Sequence, residues 1–240
     1  MLEALKRSET LRESDAIVGL YKDFIKLKNA LRRDGSAIQA YLNRHPVTRL
    51  HLGSGPHRIP GWLCTDVNVE GSGVVYLNAA EPFPLAEGAF DYICSEHMIE
   101  HLPWAKGIQM LNECRRVLKP GGVARIGTPD LAVLVRVYRR EAGDFADSYV
   151  KYMTDHFLPG VKTYQPIFAL NCVFRNFGHQ FLYDAELLSS AMAEAGFINI
   201  TRCVPGQSQH PDLCNIEKHG LQVTEEINRF ETMVFEGTKP

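Results

Sequence analysis

The 240-residue chain lacks the features of several protein classes. No stretch approaches the roughly 18 consecutive apolar residues that a membrane-spanning helix needs. The opening sequence MLEALKRSETLRESD lacks the apolar core of a signal peptide. The six cysteines include no CxxC pair, which argues against a cysteine-built zinc or redox motif. We therefore expect a cytoplasmic protein with reduced thiols and no membrane partner.

An excess of positive charge is also missing. Lysine and arginine number 26 against 28 aspartates and glutamates, for a net charge of -2. Surfaces that bind nucleic-acid phosphates are strongly basic, so we expect no nucleic-acid partner. The content of 45% hydrophobic and 22% charged residues is that of an ordinary globular protein, and the length suits one core with an appendage.

Residues 49–68 read as a strand, a glycine turn and a second strand. Leu50 and Leu52 belong to an apolar run that ends at a Gly-Ser-Gly-Pro turn, and the next apolar run carries Asp66 near its end. Glycines after a first parallel strand let the backbone approach a ligand, and an acid that ends the second strand can bind a ribose diol. The pattern indicates a nucleotide-type cofactor site, although a plain chain-reversing turn has the same composition.

The turn departs from a dinucleotide-binding fingerprint. That fingerprint has three glycines followed by a helix whose N-terminus binds pyrophosphate. Here His57 replaces the third glycine, and Pro56 and Pro60 interrupt the segment. A shortened helix offers a weak dipole, which a pyrophosphate needs and a sulfonium cofactor does not. The truncation favours S-adenosylmethionine over NAD.

Apolar runs alternate with helical patterns along the rest of the chain. Such alternation predicts an α/β fold with a doubly wound, mostly parallel sheet. No helix is predicted between the last two strands, which should therefore close the sheet as an antiparallel pair. The seven predicted strands cover residues 50–52, 62–67, 74–77, 90–94, 123–127, 198–204 and 232–236.

Two segments lie outside this alternation. Residues 1–46 have apolar positions spaced by three and four, which predicts an N-terminal helical arm that packs on the domain, covers a pocket or forms a homodimer. The remaining residues, 47–240, form the main domain. Within it, residues 141–183 are rich in aromatic rings and histidines. We interpret them as an inserted helical cap over an acceptor site, with a second small core as the alternative.

Five motifs, LHLGSG, TDV, LNAAEPFPL, FDYICSEHMIEHL and LKPGGVARIGTPD, occur in an order that resembles class I S-adenosylmethionine-dependent methyltransferases. The resemblance runs from residue 49 to the C-terminus. It implies a Rossmann-like seven-stranded fold, S-adenosylmethionine as cofactor, S-adenosylhomocysteine as product and methyltransferase activity. The cofactor contacts that it implies are Gly53, Ser54, Gly55, Pro56, Asp66, Val67, Asn78, Ala79, Ser95, Glu96 and His97.

The chain departs from the family pattern at two positions. His51 stands two residues before the first motif glycine, where the family usually has an acid, and Asn78 ends the third strand where an acid is common. An amide can still accept a bond from an adenine amino group. The departures keep open an alternative, a catalytically inactive cofactor-binding or scaffold protein of the same fold.

His97, Glu100 and His101 match the H-x-x-E-H pattern of inverted zinc proteases. That pattern requires several turns of helix, yet the fourth predicted strand ends at Cys94 and Pro103 follows soon after. We expect no metal site and retain a zinc hydrolase only as a disfavoured alternative.

Candidate acceptor-site residues lie in the cap and in a later loop. His156 and His179 are candidate general bases, which methyl transfer needs only when the acceptor is a hydroxyl or a protonated amine. For both histidines a structural role is the favoured alternative. His210, Glu217 and His219 lie in a polar loop that could fold over the same cavity. The acidic balance favours a small-molecule or sugar-like acceptor over nucleic acid. We expect the methyl group to be transferred in line.

Overall fold

The computed structural model of the protein describes residues 34–69 and 72–240. The strands in these residues are β1 (Arg49–Leu52), β2 (Leu63–Asp66), β3 (Val74–Tyr76), β4 (Phe90–Glu96), β5 (Leu118–Pro129), β6 (Ile198–Cys203) and β7 (Thr232–Thr238). The helices are α1 (Gly35–Arg44), α2 (Trp104–Val117), α3 (Leu131–Tyr138), α4 (Phe145–Phe157), α5 (Pro166–Arg175), α6 (Ala185–Glu194) and α7 (Glu225–Glu231). Short 3-10 turns cover Ile99–His101, Pro211–Leu213 and His219–Leu221.

The strands form one sheet in the order β3-β2-β1-β4-β5-β7-β6. Strands β1 to β5 run parallel, and β7 lies antiparallel between β5 and β6. The predicted fold class, an α/β doubly wound sheet of seven strands with an antiparallel closing strand, is confirmed. The strand order reverses between β1 and β4. In open α/β sheets such a reversal creates a crevice at the carboxyl ends of the strands, where ligands bind.

The central strands form where the apolar runs predict them. Leu50 and Leu52 on β1 are fully buried, as expected for a parallel strand covered on both faces. Leu50 is paired with Leu63 on one side and Ile93 on the other. The register thus brings the ends of β1, β2 and β4 together, each with the residues that follow it.

The sequence analysis was wrong about the connection between β6 and β7. A helix, α7, lies there, and the Thr224 side chain caps it by accepting a 3.1 Å bond from the Ile227 amide. Only Ile227 and Phe230 are apolar in this seven-residue helix, too few positions for a periodicity to be visible. Strand β5 is also longer than predicted, because its pairing begins at Leu118.

A second hydrophobic core lies beside the main one. It joins α3, α4, α5 and α7 through buried residues that include Tyr149, Cys172 and Ile227. The predicted segment 141–183 therefore contributes two helices, α4 and α5, to a core that α3 and α7 complete. Its function as an acceptor cap stays a prediction.

Helix α1 lies within the predicted N-terminal arm. The hydroxyl oxygen of Tyr41 lies 2.9 Å from the carbonyl oxygens of Arg49 and Gly61, either of which can accept its proton, and it accepts a 2.8 Å bond from the Arg49 amide. These contacts attach α1 to the sheet. The apolar stripe of residues 17–31 and the homodimer predicted from it lie outside the described residues. Within the described residues, every helix is too short or too polar to cross a membrane.

Candidate cofactor and acceptor site

The turn after β1 needs glycine at both predicted positions. Gly53 and Gly55 have φ angles of +65° and +52°, in the left-handed region that side chains disfavour. A Cβ atom on Gly53 would also lie 2.5 Å from Cγ of Met98. The missing side chain at Gly53 therefore leaves the backbone open at the edge of a cavity.

Asp66 connects the end of β2 to this turn. Its Oδ2 accepts a 2.9 Å bond from the Gly55 amide, and its Oδ1 accepts a 2.7 Å bond from the Asn68 amide. A carboxylate has about four lone-pair sites in all, so both oxygens keep capacity for a ligand. The carboxylate is thus oriented by backbone donors and available to hydroxyl groups.

Two cavities meet at the Gly53 turn. The first, called here the Asp66 cavity, has a volume of about 730 Å³. The second, called here the histidine cavity, has a volume of about 540 Å³ and is lined by apolar cap residues as well as histidines. Gly53, His97 and His101 line both. Six of the nine histidines of the chain line the second cavity: His51, His57, His97, His101, His179 and His219.

The predicted cofactor residues divide between the two cavities. Ser95 is the exception, since it is buried in β4 and lines neither. The Asp66 cavity is lined by Gly53, Asp66, Val67, Asn78, Ala79 and His97. The histidine cavity is lined by Gly53, Ser54, Gly55, Pro56, Glu96 and His97.

Of the two candidate bases, the structure brings only His179 to the cavity. Its Nε2 lies 3.9 Å from Oε1 of Glu100, and burial lowers the pKa of the imidazole. His156 is exposed on α4, where its ring stacks on Tyr152 at 4.0 Å between centroids and its Nδ1 bonds to the Tyr152 carbonyl. His156 lines neither cavity.

His97 links the cavities to a buried acid. Its φ angle of +47° is unusual for a residue with a side chain, and its Nδ1 lies 3.4 Å from Oε1 of the fully buried Glu100. Burial acts to lower the pKa of His97, but the nearby carboxylate of Glu100 outweighs it, so this pKa is raised. The ring stacks on His219 with 3.7 Å between centroids.

The loop that carries His219 is held by an acid at the end of β4. Glu96 Oε2 accepts bonds from the backbone amides of Lys218 and His219 at 2.6 and 3.0 Å. Burial raises the pKa of Glu96. Of the three residues predicted in this loop, His219 lies at the cavity, Glu217 pairs with Arg125, and His210 packs on Tyr92.

His51 lies deep in the histidine cavity, at the position where the family usually has an acid. The residue is only 4% exposed, and burial lowers its pKa to about 4. The ring is therefore neutral near pH 7. Its Nδ1 has no hydrogen-bond partner among the described residues.

The sequence analysis missed Glu231 as a cavity residue. It is the last residue of the unpredicted helix α7, lines the histidine cavity and accepts a 2.7 Å bond from the Tyr149 hydroxyl. Its sequence context, a charged position in an unrecognised helix, carries no signal for a site.

Comparison with known proteins supports the methyltransferase class that the sequence motifs indicate. Residues 63–126 match the family described as "Methyltransferase domain", while no protein of curated function matches the chain. The family match and the sheet order confirm the predicted resemblance to class I S-adenosylmethionine-dependent methyltransferases, including the cofactor of that class.

Three solved structures are similar to the chain at low identity. A possible histamine N-methyltransferase from Thermotoga maritima is 21% identical over 93% of this chain and 96% of its own, with a TM-score of 0.45. A methyltransferase from Archaeoglobus fulgidus is 16% identical over 94% of this chain and 100% of its own, with a TM-score of 0.47. The CurJ carbon methyltransferase is 12% identical over 81% of this chain, which spans 49% of that protein, with a TM-score of 0.45. The substrates in these names are those of the three proteins and are not assigned to this chain.

Proposed function

We propose that the chain binds S-adenosylmethionine and transfers its methyl group to a small-molecule acceptor, releasing S-adenosylhomocysteine. One observation carries the proposal: the Gly53 turn and Asp66 are hydrogen-bonded to each other at the carboxyl ends of neighbouring strands, where two cavities join. Asp66 would accept the ribose hydroxyls. The open backbone at Gly53 and Gly55 would lie against the methionine portion.

The two joined cavities suit an in-line transfer. With the adenosine in the Asp66 cavity, the methyl group would face the shared edge formed by Gly53 and His97. An acceptor atom in the histidine cavity would attack the methyl carbon as the carbon–sulfur bond breaks and its electron pair stays on sulfur. The sulfonium is already activated, so the protein mainly supplies alignment and exclusion of water, which can contribute ~7 to 11 kcal/mol.

The histidine cavity suits a small polar acceptor. Its wall combines apolar cap residues such as Phe157 and Phe177 with imidazoles, a mixture typical of small-molecule sites. Hydroxyl groups of a sugar-like compound could bond to the imidazoles. His179 faces this space and is the candidate to take an acceptor proton, whereas the exposed position of His156 gives that residue no support.

Binding of S-adenosylhomocysteine to the purified protein tests the cofactor assignment. Replacing Asp66 by alanine should weaken binding about 10- to 150-fold, because hydrogen bonds to a charged group contribute about 1.5 to 3 kcal/mol. Asp155→Ala is the matched control, since Asp155 is an exposed acid of the cap that pairs with Lys151. Isothermal titration calorimetry measures both. No binding by the unmodified protein, or equal affinity in Asp66→Ala, would reject the assignment.

The neutral His51 favours a second candidate, an inactive cofactor-binding protein, because an acid at this position helps to bind the methionine ammonium in the family. The two candidates differ in turnover. Release of S-adenosylhomocysteine in the presence of sugars, phenols and amines supports the enzyme. Tight cofactor binding without turnover of any of these acceptors supports the binding protein.

A further inference from the structure

Two groups of side chains that could bind a metal ion lie at the histidine cavity, and all of their members line it except the fully buried Glu100. Each consists of two imidazoles and one carboxylate, with candidate ligand atoms within 4.8 Å of one another. One group is Glu100, His101 and His179, and the other is His97, His219 and Glu231. The same residue types form metal sites with open positions in many enzymes. The two groups differ in whether their polar atoms are already satisfied.

The Glu100 group contains a buried oxygen that lacks a close hydrogen bond. The Glu100 side chain has no exposed surface, and its Oε2 accepts a 2.9 Å bond from Oγ1 of Thr128. Its Oε1 makes no close hydrogen bond within the described part of the chain; His97 Nδ1 lies 3.4 Å and His179 Nε2 3.9 Å from it. Contacts of this length compensate a buried carboxylate oxygen only in part, which is costly. A cation at this oxygen would remove that cost.

The imidazoles of this group are held beside Glu100 by the backbone. The Glu100 carbonyl accepts bonds from the amides of Gln180 and Phe181 at 2.7 and 3.1 Å, and the Gln180 side chain donates to the His101 carbonyl at 2.7 Å. His179 is thereby attached to the turn that carries Glu100 and His101. The rings of His101 and His179 meet edge to face, 4.8 Å apart, and both line the cavity.

The second group is already bonded within the protein. Glu231 Oε2 accepts from Tyr149 at 2.7 Å, and His97 Nε2 bonds to Thr232 Oγ1 at 2.7 Å. The polar atoms of this group therefore already have partners within the protein, as expected for a structural hydrogen-bond network. The Glu100 group is therefore the better candidate for an ion.

We propose that Glu100, His101 and His179 bind one divalent metal ion of the zinc and cobalt class, whose open positions hold an acceptor hydroxyl in the histidine cavity. Imidazole-rich sites favour zinc and its transition-metal neighbours over magnesium or calcium, which prefer all-oxygen ligands. The sequence analysis expected no metal because Pro103 leaves no room for a long ligand helix. The structure supplies the third ligand from His179, on a distant segment.

The proposed ion would change the role of His179. This step rests on the proposed function, in which the histidine cavity receives the acceptor. A metal-bound hydroxyl loses its proton to solvent more readily than a free one. The resulting oxygen forms a bond to the methyl carbon while the carbon–sulfur bond breaks and its electrons remain on sulfur. His179 then acts as a ligand, and a ligated nitrogen takes no proton.

Metal binding to the full chain tests the proposal without an acceptor. Protein stripped with a chelator is titrated with Zn²⁺ by calorimetry and with Co²⁺ by visible absorption. We expect one ion per chain and at least a tenfold loss of affinity in Glu100→Gln and in His179→Ala. Glu231→Gln and His156→Ala are matched controls that should keep the unmodified affinity. Azide should shift the Co²⁺ bands if an open position faces the cavity.

The outcomes separate this proposal from the proposed function. Absence of binding, unchanged affinity in both Glu100→Gln and His179→Ala, loss only in Glu231→Gln, or an azide-insensitive spectrum would each overturn the metal site. Circular dichroism and S-adenosylhomocysteine affinity, measured on the same variants, show whether each one is folded. If Glu100→Gln is unfolded, the metal affinity of His179→Ala alone tests the site. If the cofactor binds and metal does not, the metal site is rejected and the proposed function is kept. If metal binds and the cofactor does not, the proposed function is rejected.

Discussion

Gly53 and Gly55 share a left-handed backbone but differ in their surroundings. A Cβ at Gly53 would lie 2.5 Å from Cγ of Met98, whereas a Cβ at Gly55 would meet nothing within 4 Å. Alanine at either position should cost roughly 1 to 2 kcal/mol of stability from the backbone alone. Gly53→Ala should additionally displace Met98 toward the cofactor and weaken S-adenosylhomocysteine binding at least tenfold. Thermal melting and calorimetry measure the two effects.

The second substitution Met98→Ala separates these causes. Shortening Met98 removes the contact and leaves the backbone strain of Gly53→Ala, so the double variant should recover part of the affinity. Equal losses in Gly53→Ala and Gly55→Ala would show that the contact with Met98 has no effect.

His51 should make folding stability depend on pH between about 4 and 6.5. Above its ordinary pKa the ring is neutral in both the folded and unfolded chain and adds no pH dependence. As the pH falls, the unfolded chain takes up a proton that the folded chain does not, because burial lowers the folded pKa to about 4. Stability should therefore decrease on acidification, by up to ~3 kcal/mol at pH 4 from this group.

A glutamine at this position isolates that contribution, because it keeps polar atoms but does not titrate. Urea denaturation at several pH values should give a flatter dependence for His51→Gln than for the unmodified protein, with the difference growing from pH 6.5 to pH 4. Parallel curves for the two proteins would mean that the folded ring is protonated normally.

Helix α2 packs against Tyr183 through Gly107, although glycine is an unfavourable residue within a helix. A Cβ on Gly107 would lie 2.4 Å from the hydroxyl oxygen of Tyr183, and that buried hydroxyl has no partner among the described residues. Gly107→Ala should lower the free energy of unfolding, even though alanine favours helices by about 1 kcal/mol. Tyr183→Phe should have little effect, since it removes an unsatisfied polar atom.

The double variant Gly107→Ala, Tyr183→Phe should recover most of that loss, since its methyl group meets no hydroxyl. Urea denaturation of the four proteins gives the interaction energy directly. Additive effects would mean that the loss in Gly107→Ala does not come from contact with the Tyr183 hydroxyl.

The sequence predicted helices and strands correctly where an apolar pattern repeats over several helical turns or runs along a buried strand. The positions of Asp66 and Glu96 at the carboxyl ends of β2 and β4 followed from apolar runs that end in polar residues, although β4 continues two residues beyond its predicted end at Cys94. Helix α7 was missed because short helices have no visible period. The Glu100 group was missed for another reason: the Glu100 and Gln180 backbones pair across 80 positions of sequence, and spacing within one motif cannot reveal such a contact.

One buried arginine joins the sheet to the loop over the histidine cavity. Arg125 on β5 is 1% exposed, and it bonds to Glu236 on β7 at 2.5 Å and to Glu217 at 2.6 Å. Glu217 also accepts a 3.1 Å bond from the Gly206 amide. The next residues along the loop, Lys218 and His219, are those whose amides bond to Glu96. The position of the loop therefore depends on charges inside the sheet.

Removing Arg125 should affect both stability and the site. Arg125→Met leaves two carboxylates buried without their cation, which typically costs about 3 to 5 kcal/mol. Glu217→Gln keeps a hydrogen-bonding side chain, so it should lower the free energy of unfolding by less than Arg125→Met while loosening the loop.

The loosening of the loop is measured by hydrogen exchange. We expect faster amide exchange in residues 206–222 in Glu217→Gln, with β1 and β4 still protected. Lys151→Ala is the control: it breaks an exposed pair with Asp155 and should change neither stability nor exchange by a measurable amount. Unchanged loop exchange in Glu217→Gln would mean that the Glu96 bonds alone hold the loop, and the cavity would then depend on β4 rather than on the Arg125 network.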